Sequence, residues 1–280
     1  MLAQSPSQSP NARDFRLPDS GRTLVMGIVN VTPDSFSDGG QFLDAPNAIA
    51  HARRLAEEGA DILDLGAEST RPYGGAKPIS FDEELARLAP VLSEVTKPGM
   101  PVSIDTTKAR VAAWALEQGA VIVNDVWGLQ RDPDMARVVA EHGATVVVMH
   151  NRDKADAAID IVADVKDFFA RSLDLAAKAG IAPERIVLDP GVGFGKTPEQ
   201  SLSVIARLGE FRSFGRKLMM GLSRKRFIDA VSPAPPERRL GGSIAGNLLA
   251  VLAGADIVRV HDVAETVQAL RVAAAIRSAR

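Results

Sequence analysis

The residues of this chain best suited to chemistry recur at one place, the C-terminal end of a short apolar run. In order they are Asn30, the stretch Glu68 to Arg71, Asp105, Asn124 with Asp125, Met149 with His150, Asp189, the stretch Ser223 to Lys225, and Arg259 with His261. Carboxylates, amides, an ammonium, a guanidinium and imidazoles can accept, donate and carry charge toward a polar ligand. Any one of them alone would serve as well as a helix N-cap or a satisfied core group. Seven or eight in the same position relative to their runs make a common site the better reading.

Several other chemistries lack their residues. With no cysteine there is no disulfide, no thiolate nucleophile and no Cys-ligated zinc, a composition that suits a reducing cytoplasm. His51, His142, His150 and His261 show neither HxxxH nor HxxEH spacing, so a His-ligated zinc is not expected. His51 and His142 fall in helical stretches and read as solvated. No GxSxG elbow supports Ser-hydrolase chemistry. The stretch GVGFGKT, from Gly191 to Thr197, ends like a phosphate-binding P-loop, but Pro190 stands where that pattern needs glycine. Gly191, Gly193 and Gly195 do not make GxGxxG either.

The elements that must position the polar set alternate strictly. Apolar runs rich in Val, Ile and Leu (LVMGIVNV, DILDLGAE, PVSIDTT, VIVNDVWG, TVVVMHN, RIVLDPG, KLMMGLS and DIVRVHD) have the length of strands and the two-faced apolarity of a buried parallel sheet. Amphipathic, Ala-rich stretches between them read as helices, several ending at a glycine C-cap. Eight strands and eight helices in alternation require right-handed crossovers. That number favours closure into a (β/α)8 TIM barrel over an open doubly wound sheet. A barrel gathers its strand ends at one face, where such enzymes carry their active sites.

At 280 residues the chain fits one barrel of about 250 residues plus a short tail. Residues 1–20, rich in Ser, Pro, Gln and Asn, read as a flexible N-terminal extension before a domain over 21–280. That start has neither a basic segment nor an apolar stretch of the secretory kind, and the run from Leu248 to Ala255 is too short to span a membrane. Basic and acidic side chains nearly cancel, 33 against 35, which argues against non-specific nucleic-acid binding.

Longer motifs connect these ends. GIVNVTPDSFSDGG (27–40) followed by GADILDLGAESTRP (59–72) closely resembles the two signature segments of dihydropteroate synthases. VSIDTTK (102–108), VNDVWG (123–128), LDPGVGFGKT (188–197), GLSRK (221–225) and GADIVRVHDV (254–263) extend the resemblance over about residues 22–280. It implies condensation of a pterin methylene pyrophosphate with p-aminobenzoate to give dihydropteroate and pyrophosphate, with Mg2+ as the metal and a homodimer as the assembly. Asp105, Asn124, Asp189, Gly221 and Lys225 match pterin-binding positions, with Val126 and Met149 against the ring. A pterin carries an amino group beside a ring N–H, from which one carboxylate can accept twice, as acids do from base edges. Asn30, Thr70, Arg71, Arg259 and His261 match pyrophosphate-binding positions, and Asn30 lies near the magnesium. Phe36, Pro72, Phe194 and Lys225 match the p-aminobenzoate pocket. Lys225, Arg259, His261, Asp38 and Arg71 would carry catalysis. Thr32–Gly40 and Ser69–Ile79 resemble the family's two mobile loops, given freedom by Gly39, Gly40, Gly74 and Gly75.

Two departures stand out. Arg226 occupies a position where the family often has Ser near the p-aminobenzoate carboxylate, and MHNRD follows the fifth strand in place of a different polar loop. Two rival readings share the barrel. A pterin-dependent methyltransferase domain would not need the TPDSFSDGG and ESTRP loops, Arg259 or His261. A non-catalytic pterin-binding paralogue is opposed by the intact set of Asp105, Asn124, Asp189, Lys225, Arg259 and His261.

Overall fold

The eight apolar runs become strands with nearly every residue buried, in a computed structural model that describes residues 11–31, 45–68, 78–97 and 99–279. They are β1 (Leu24–Asn30), β2 (Ile62–Gly66), β3 (Val102–Asp105), β4 (Ile122–Asp125), β5 (Thr145–Met149), β6 (Ile186–Asp189), β7 (Lys217–Met220) and β8 (Ile257–Val260). Each pairs in parallel with the next, and β8 returns to β1 through Leu24↔Ile257, closing the expected barrel. Packed outside it are α1 (Ala45–Glu57), α2 (Phe81–Val95), α3 (Ala109–Glu117), α4 (Met135–His142), α5 (Ile161–Ala179), α6 (Pro198–Ala206), α7 (Arg226–Val231), α8 (Leu240–Leu252) and α9 (Val263–Ser278). No helix among the described residues is long and apolar enough to cross a membrane.

Local sequence explains where the helices begin and stop. Ser80 caps α2 by accepting from Glu83 N–H, Asp160 caps α5, and Thr197 with Gln200 forms a capping box on α6. Gly143 and Gly180 end α4 and α5 in the left-handed conformation, as the glycine stops predict. The α7 helix is additional to the eight expected. Its six residues are too few to show a helical period in sequence.

Register decides which side chains meet. Registered neighbours in a parallel sheet share a face, and faces alternate along each strand. The pairings Asn30↔Gly66, Gly66↔Asp105 and Asp105↔Asn124 put these residues in one inward-facing row. Met149↔Asp189 makes a second such pair, and Met26↔Arg259 sets Arg259 on the same face as Asn30.

The alternation also corrects the strand-end reading. Asp125 and His150 sit one step past an inward residue and turn to the helix layer. Asp125 accepts from Trp127 N–H (2.9 Å) and Leu129 N–H (2.7 Å), closing its own turn. His150 is fully buried against Phe168 of α5 and bonds Asp164. Nor are His51 and His142 simply solvated. Both are half-buried, with ring nitrogens on the carbonyls of Ile28 and Val138.

Residues 11–17 also differ from the loosely ordered extension expected of the N-terminus. Ala12 is buried, and Arg185, itself buried beside β6, donates to the carbonyls of Ala12 (3.0 Å), Arg13 (2.5 Å) and Phe15 (3.3 Å). Composition conceals this contact, because the partner groups are backbone and belong to no residue type. Arg185→Met should therefore release the segment. Limited proteolysis should cut within 11–20 faster, and urea denaturation should show a loss of about 1–3 kcal/mol. An unchanged cleavage rate would mean that the packing of Ala12, Phe15 and Leu17 and the bond from Arg13 to Glu141 O suffice to anchor it.

Candidate active site

Arg259 defines the floor of the barrel mouth. From β8 its Nε donates to Asp64 of β2 (2.6 Å) and its Nη2 to Asp105 of β3 (2.8 Å). Because β1 lies between β8 and β2 in the wall, these bonds cross the interior. Asn124 of β4 adds Nδ2 to Asp64 at 3.2 Å. Asp64, Asp105 and Asn124 are all buried, and each keeps one oxygen, the Oδ1, without a hydrogen-bond partner. Burial lifts the Asp105 carboxyl to about 7, with Arg259 opposing and Asp64 adding to the rise.

Asp189 and Lys225 meet on the other side of the floor. A side chain on Gly221 would project between Lys225 Nζ, Arg259 and Asp189 Oδ2, so the glycine keeps this space open. Asp189 Oδ1 accepts from Gly191 N–H (2.8 Å), which leaves Oδ2 toward the space. Burial raises the Asp189 pKa, while Lys225 pulls it down. Burial pushes the Lys225 ammonium down to about 8, with Asp189 opposing and Arg259 adding to the fall. Met149 is buried in register with Asp189, and Val126, buried as well, follows the end of β4.

Lys225 is aimed by the turn that follows β6. Its Nζ donates to Val192 O (2.5 Å) and stands 4.9 Å from the centre of the Phe194 ring. Gly191, Gly193 and Gly195 all take positive φ in this turn. At Gly191 a Cβ would come 1.9 Å from His150 O, so only glycine fits. GVGFGKT is thus a glycine turn that grips a lysine, not a phosphate loop.

Strand ends β7 and β8 are locked together beside it. His261 Nδ1 lies 3.0 Å from Ser223 Oγ, and the Arg224 guanidinium pairs with Asp262. Arg224 holds a left-handed φ of 58°, uncommon for a non-glycine residue. Its N–H is taken by Ser243 Oγ (2.9 Å) and its carbonyl by Arg239 Nη1 (3.1 Å). Lys225, next in sequence, is extended and starts α7. Arg226 is exposed on that helix.

Asp105, Asn124, Asp189, Gly221, Lys225, Arg259 and Phe194 are therefore brought together, with His261 at the end of β8 and Asn30 exposed at the end of β1. Phe36, Asp38, Thr70, Arg71 and Pro72 lie outside the described residues, as do most of the two loops. Among the described residues no group of three or more acids or histidines could hold a metal unaided. Asp64 was missed by attention to strand ends. Its signal was an acid in mid-strand, inside ILDLG, where an apolar core tolerates none. Lys196 was passed over with the rejected P-loop.

Removing Asp64 isolates charge in the barrel. Asp64→Ala should cost about 3 kcal/mol in urea denaturation, since Arg259 loses one of its two carboxylates and Asn124 its acceptor. A loss near zero would show that Asp105 alone holds the guanidinium.

Comparisons with known proteins bear on the fold and the family. A family model described as pterin binding enzyme matches residues 26–261. The dihydropteroate synthase of Bacillus subtilis (strain 168) is 47% identical over 243 residues, covering 86% of this chain and 84% of that relative. A solved dihydropteroate synthase from Clostridium difficile, in the presence of pteroic acid, superposes with a TM-score of 0.88 at 49% identity, covering 93% of this chain and 99% of that one. One from Xanthomonas albilineans with 4-aminobenzoic acid gives 0.86 at 44% identity, covering 91% and 93%. The chain belongs to the pterin-binding enzyme family and, within it, to the dihydropteroate synthases, which are transferases.

Proposed function

We propose that the barrel mouth binds a pterin methylene pyrophosphate through Asp105, Asn124, Asp189 and Lys225 and joins it to p-aminobenzoate. The observation that carries this reading is the trio of unpartnered buried oxygens on Asp64, Asp105 and Asn124, beside the half-committed Asp189. A buried acceptor without a donor is costly, and a pterin presents amino and ring N–H donors side by side. Lys225 supplies the complementary donor to the ring carbonyl and neighbouring nitrogen. Relatives solved with pteroic acid and with 4-aminobenzoic acid support the same pairing of ligands.

The reaction asks for positioning more than for a nucleophile. The bond between the pterin methylene carbon and the pyrophosphate oxygen breaks, and its electron pair leaves with the pyrophosphate. The arylamine nitrogen of p-aminobenzoate then donates its lone pair to that carbon and releases a proton. Arg259 and His261 stabilise the departing anion, with Thr70 and Arg71 joining from the loops, and Asp38 comes in with them to complete the site. Phe194, Phe36, Pro72 and Lys225 hold the flat second ring.

Asn30 suits one position of a Mg2+ ion, a hard cation that prefers oxygen. Its exposed amide shares the inward face with Arg259, and phosphate oxygens and water would complete the shell. When bound, such an ion neutralises charge on the leaving pyrophosphate. The same reading carries a cytoplasmic homodimer. Leu249 and Leu252 of α8, with Val272 and Ile276 of α9, are more than half exposed and give a second copy an apolar face.

Asp189 provides the sharpest test. Asp189→Asn sets an amide N–H against a ring N–H and removes a charge-assisted bond, costing roughly 3 kcal/mol or about a hundredfold in pterin affinity by calorimetry. Melting temperature is the folding control, and a folded variant with unchanged affinity would overturn the assignment. Lys225 predicts the basic limb of the pH profile. Because its ammonium is the donor and titrates near 8, kcat/KM for the pterin substrate should fall as pH rises above about 8. A profile flat to about pH 10, the range of an ordinary lysine, would remove that charge from the mechanism.

A further inference from the structure

We infer that Lys196 is a positioning residue for the p-aminobenzoate pocket, holding the 191–195 turn from behind so that Phe194 and Val192 fix Lys225 at the mouth. The inference rests on the reading of the mouth given above. Lys196 is only 2% exposed, among the most deeply buried large side chains of the chain. Its Nζ reaches Gly191 O at 2.8 Å, Phe194 O at 3.1 Å and His150 Nδ1 at 2.6 Å. Three acceptors match the three N–H donors of an ammonium.

Burial pushes the Lys196 ammonium well down, and the charges of Asp189 and of Asp164, the latter reached through the histidine, oppose that fall. With Nδ1 accepting from Lys196, His150 carries its proton on Nε2 and donates it to Asp164 Oδ2 at 2.9 Å. Arg152, in the departing MHNRD segment, donates to the other oxygen at 2.7 Å. Burial and the adjacent Lys196 hold the His150 pKa down to about 3, which keeps the imidazole neutral and able to accept. The departure after β5 therefore builds the outer end of this chain of bonds.

The turn needs such a staple. Three of its five residues are glycines at positive φ, so the segment gives up much conformational freedom when ordered. Its one internal backbone bond is Phe194 N–H to Gly191 O at 3.1 Å. Lys196 takes the carbonyls at both ends of that same four-residue turn. The faces of the turn turned to the mouth, Val192 O and the Phe194 ring, are those that contact Lys225. Two lysines thus grip one turn from opposite sides, one buried behind it and one serving substrate.

Lys196→Met keeps the length and volume of the side chain and removes all three donors. In steady-state assays of pyrophosphate release, KM for p-aminobenzoate should rise between about tenfold and a hundredfold, the scale of a small misplacement. Affinity for the pterin substrate, read by calorimetry, should fall by a smaller factor than that, because Asn124 and Asp105 lie on strands the turn does not move, while Lys225 and the Gly191 N–H bond to Asp189 depend on it. A folded Lys196→Met protein with unchanged p-aminobenzoate KM, or with both substrates weakened equally, would overturn the inference. Asp164→Asn weakens the counter-charge at a half-exposed position. It should raise the same KM about threefold with a smaller loss of pterin affinity, and if Lys196→Met does not fold, an unchanged KM in this variant overturns the inference. Wild-type protein that releases no pyrophosphate with both substrates present would instead overturn the proposed function.

Discussion

A guanidinium inside a barrel commits the residues around it. Desolvating Arg259 costs several kcal/mol unless carboxylates meet it with good geometry, and Asp64 and Asp105 do so from two strands. Those acids are themselves buried, so neither can be replaced by an apolar residue without stranding the arginine. Asn124 then orients its amide nitrogen to Asp64, leaving its oxygen to the mouth. Gly66 belongs to the same constraint, since a Cβ there would approach Asp105 Cβ to 3.3 Å. The upper layer of the barrel exchanges apolar packing for an ionic network with free acceptors. Stability is given up there, as expected where a fold departs from its own packing rules.

Much of this was legible in the chain. Short runs apolar on both faces, set between amphipathic stretches, specify buried parallel strands, and their eightfold repetition specifies closure. The position of Asp105, Asn124, Asp189 and Arg259 at run ends specifies the mouth. What remained hidden has a common physical cause. Asp125 and His150 occupy the same run ends as functional residues, and only register distinguishes inward from outward. Lys196 carries the signature of a phosphate ligand, yet its acceptors are carbonyls and an imidazole, which sequence does not advertise. The Arg185 contacts with residues 12–15 are likewise to backbone. Side-chain patterns reveal elements well and backbone acceptors poorly.

Charge bookkeeping across the floor explains how the work is divided between floor and rim. Asp64, Asp105 and Asp189 face Lys225 and Arg259, so the described floor has one more acid than base. Even with Asp105 lifted to about 7, so that it is half protonated near neutrality, the balance does not become positive. Such a floor suits a neutral ring rich in donors and leaves little net positive charge for a dense anion. Beyond Arg259, pyrophosphate must then find further positive charge and donors at the rim. The ends of β1 and β8 offer Asn30 for an oxygen-ligated cation and His261 at the rim, and Arg71 approaches in sequence from the segment after β2. The geometry therefore separates recognition from departure. Acceptors buried at the bottom hold the pterin still, while the anion leaves at the edge, where solvent and cation can receive it without reorganising the ionic network below.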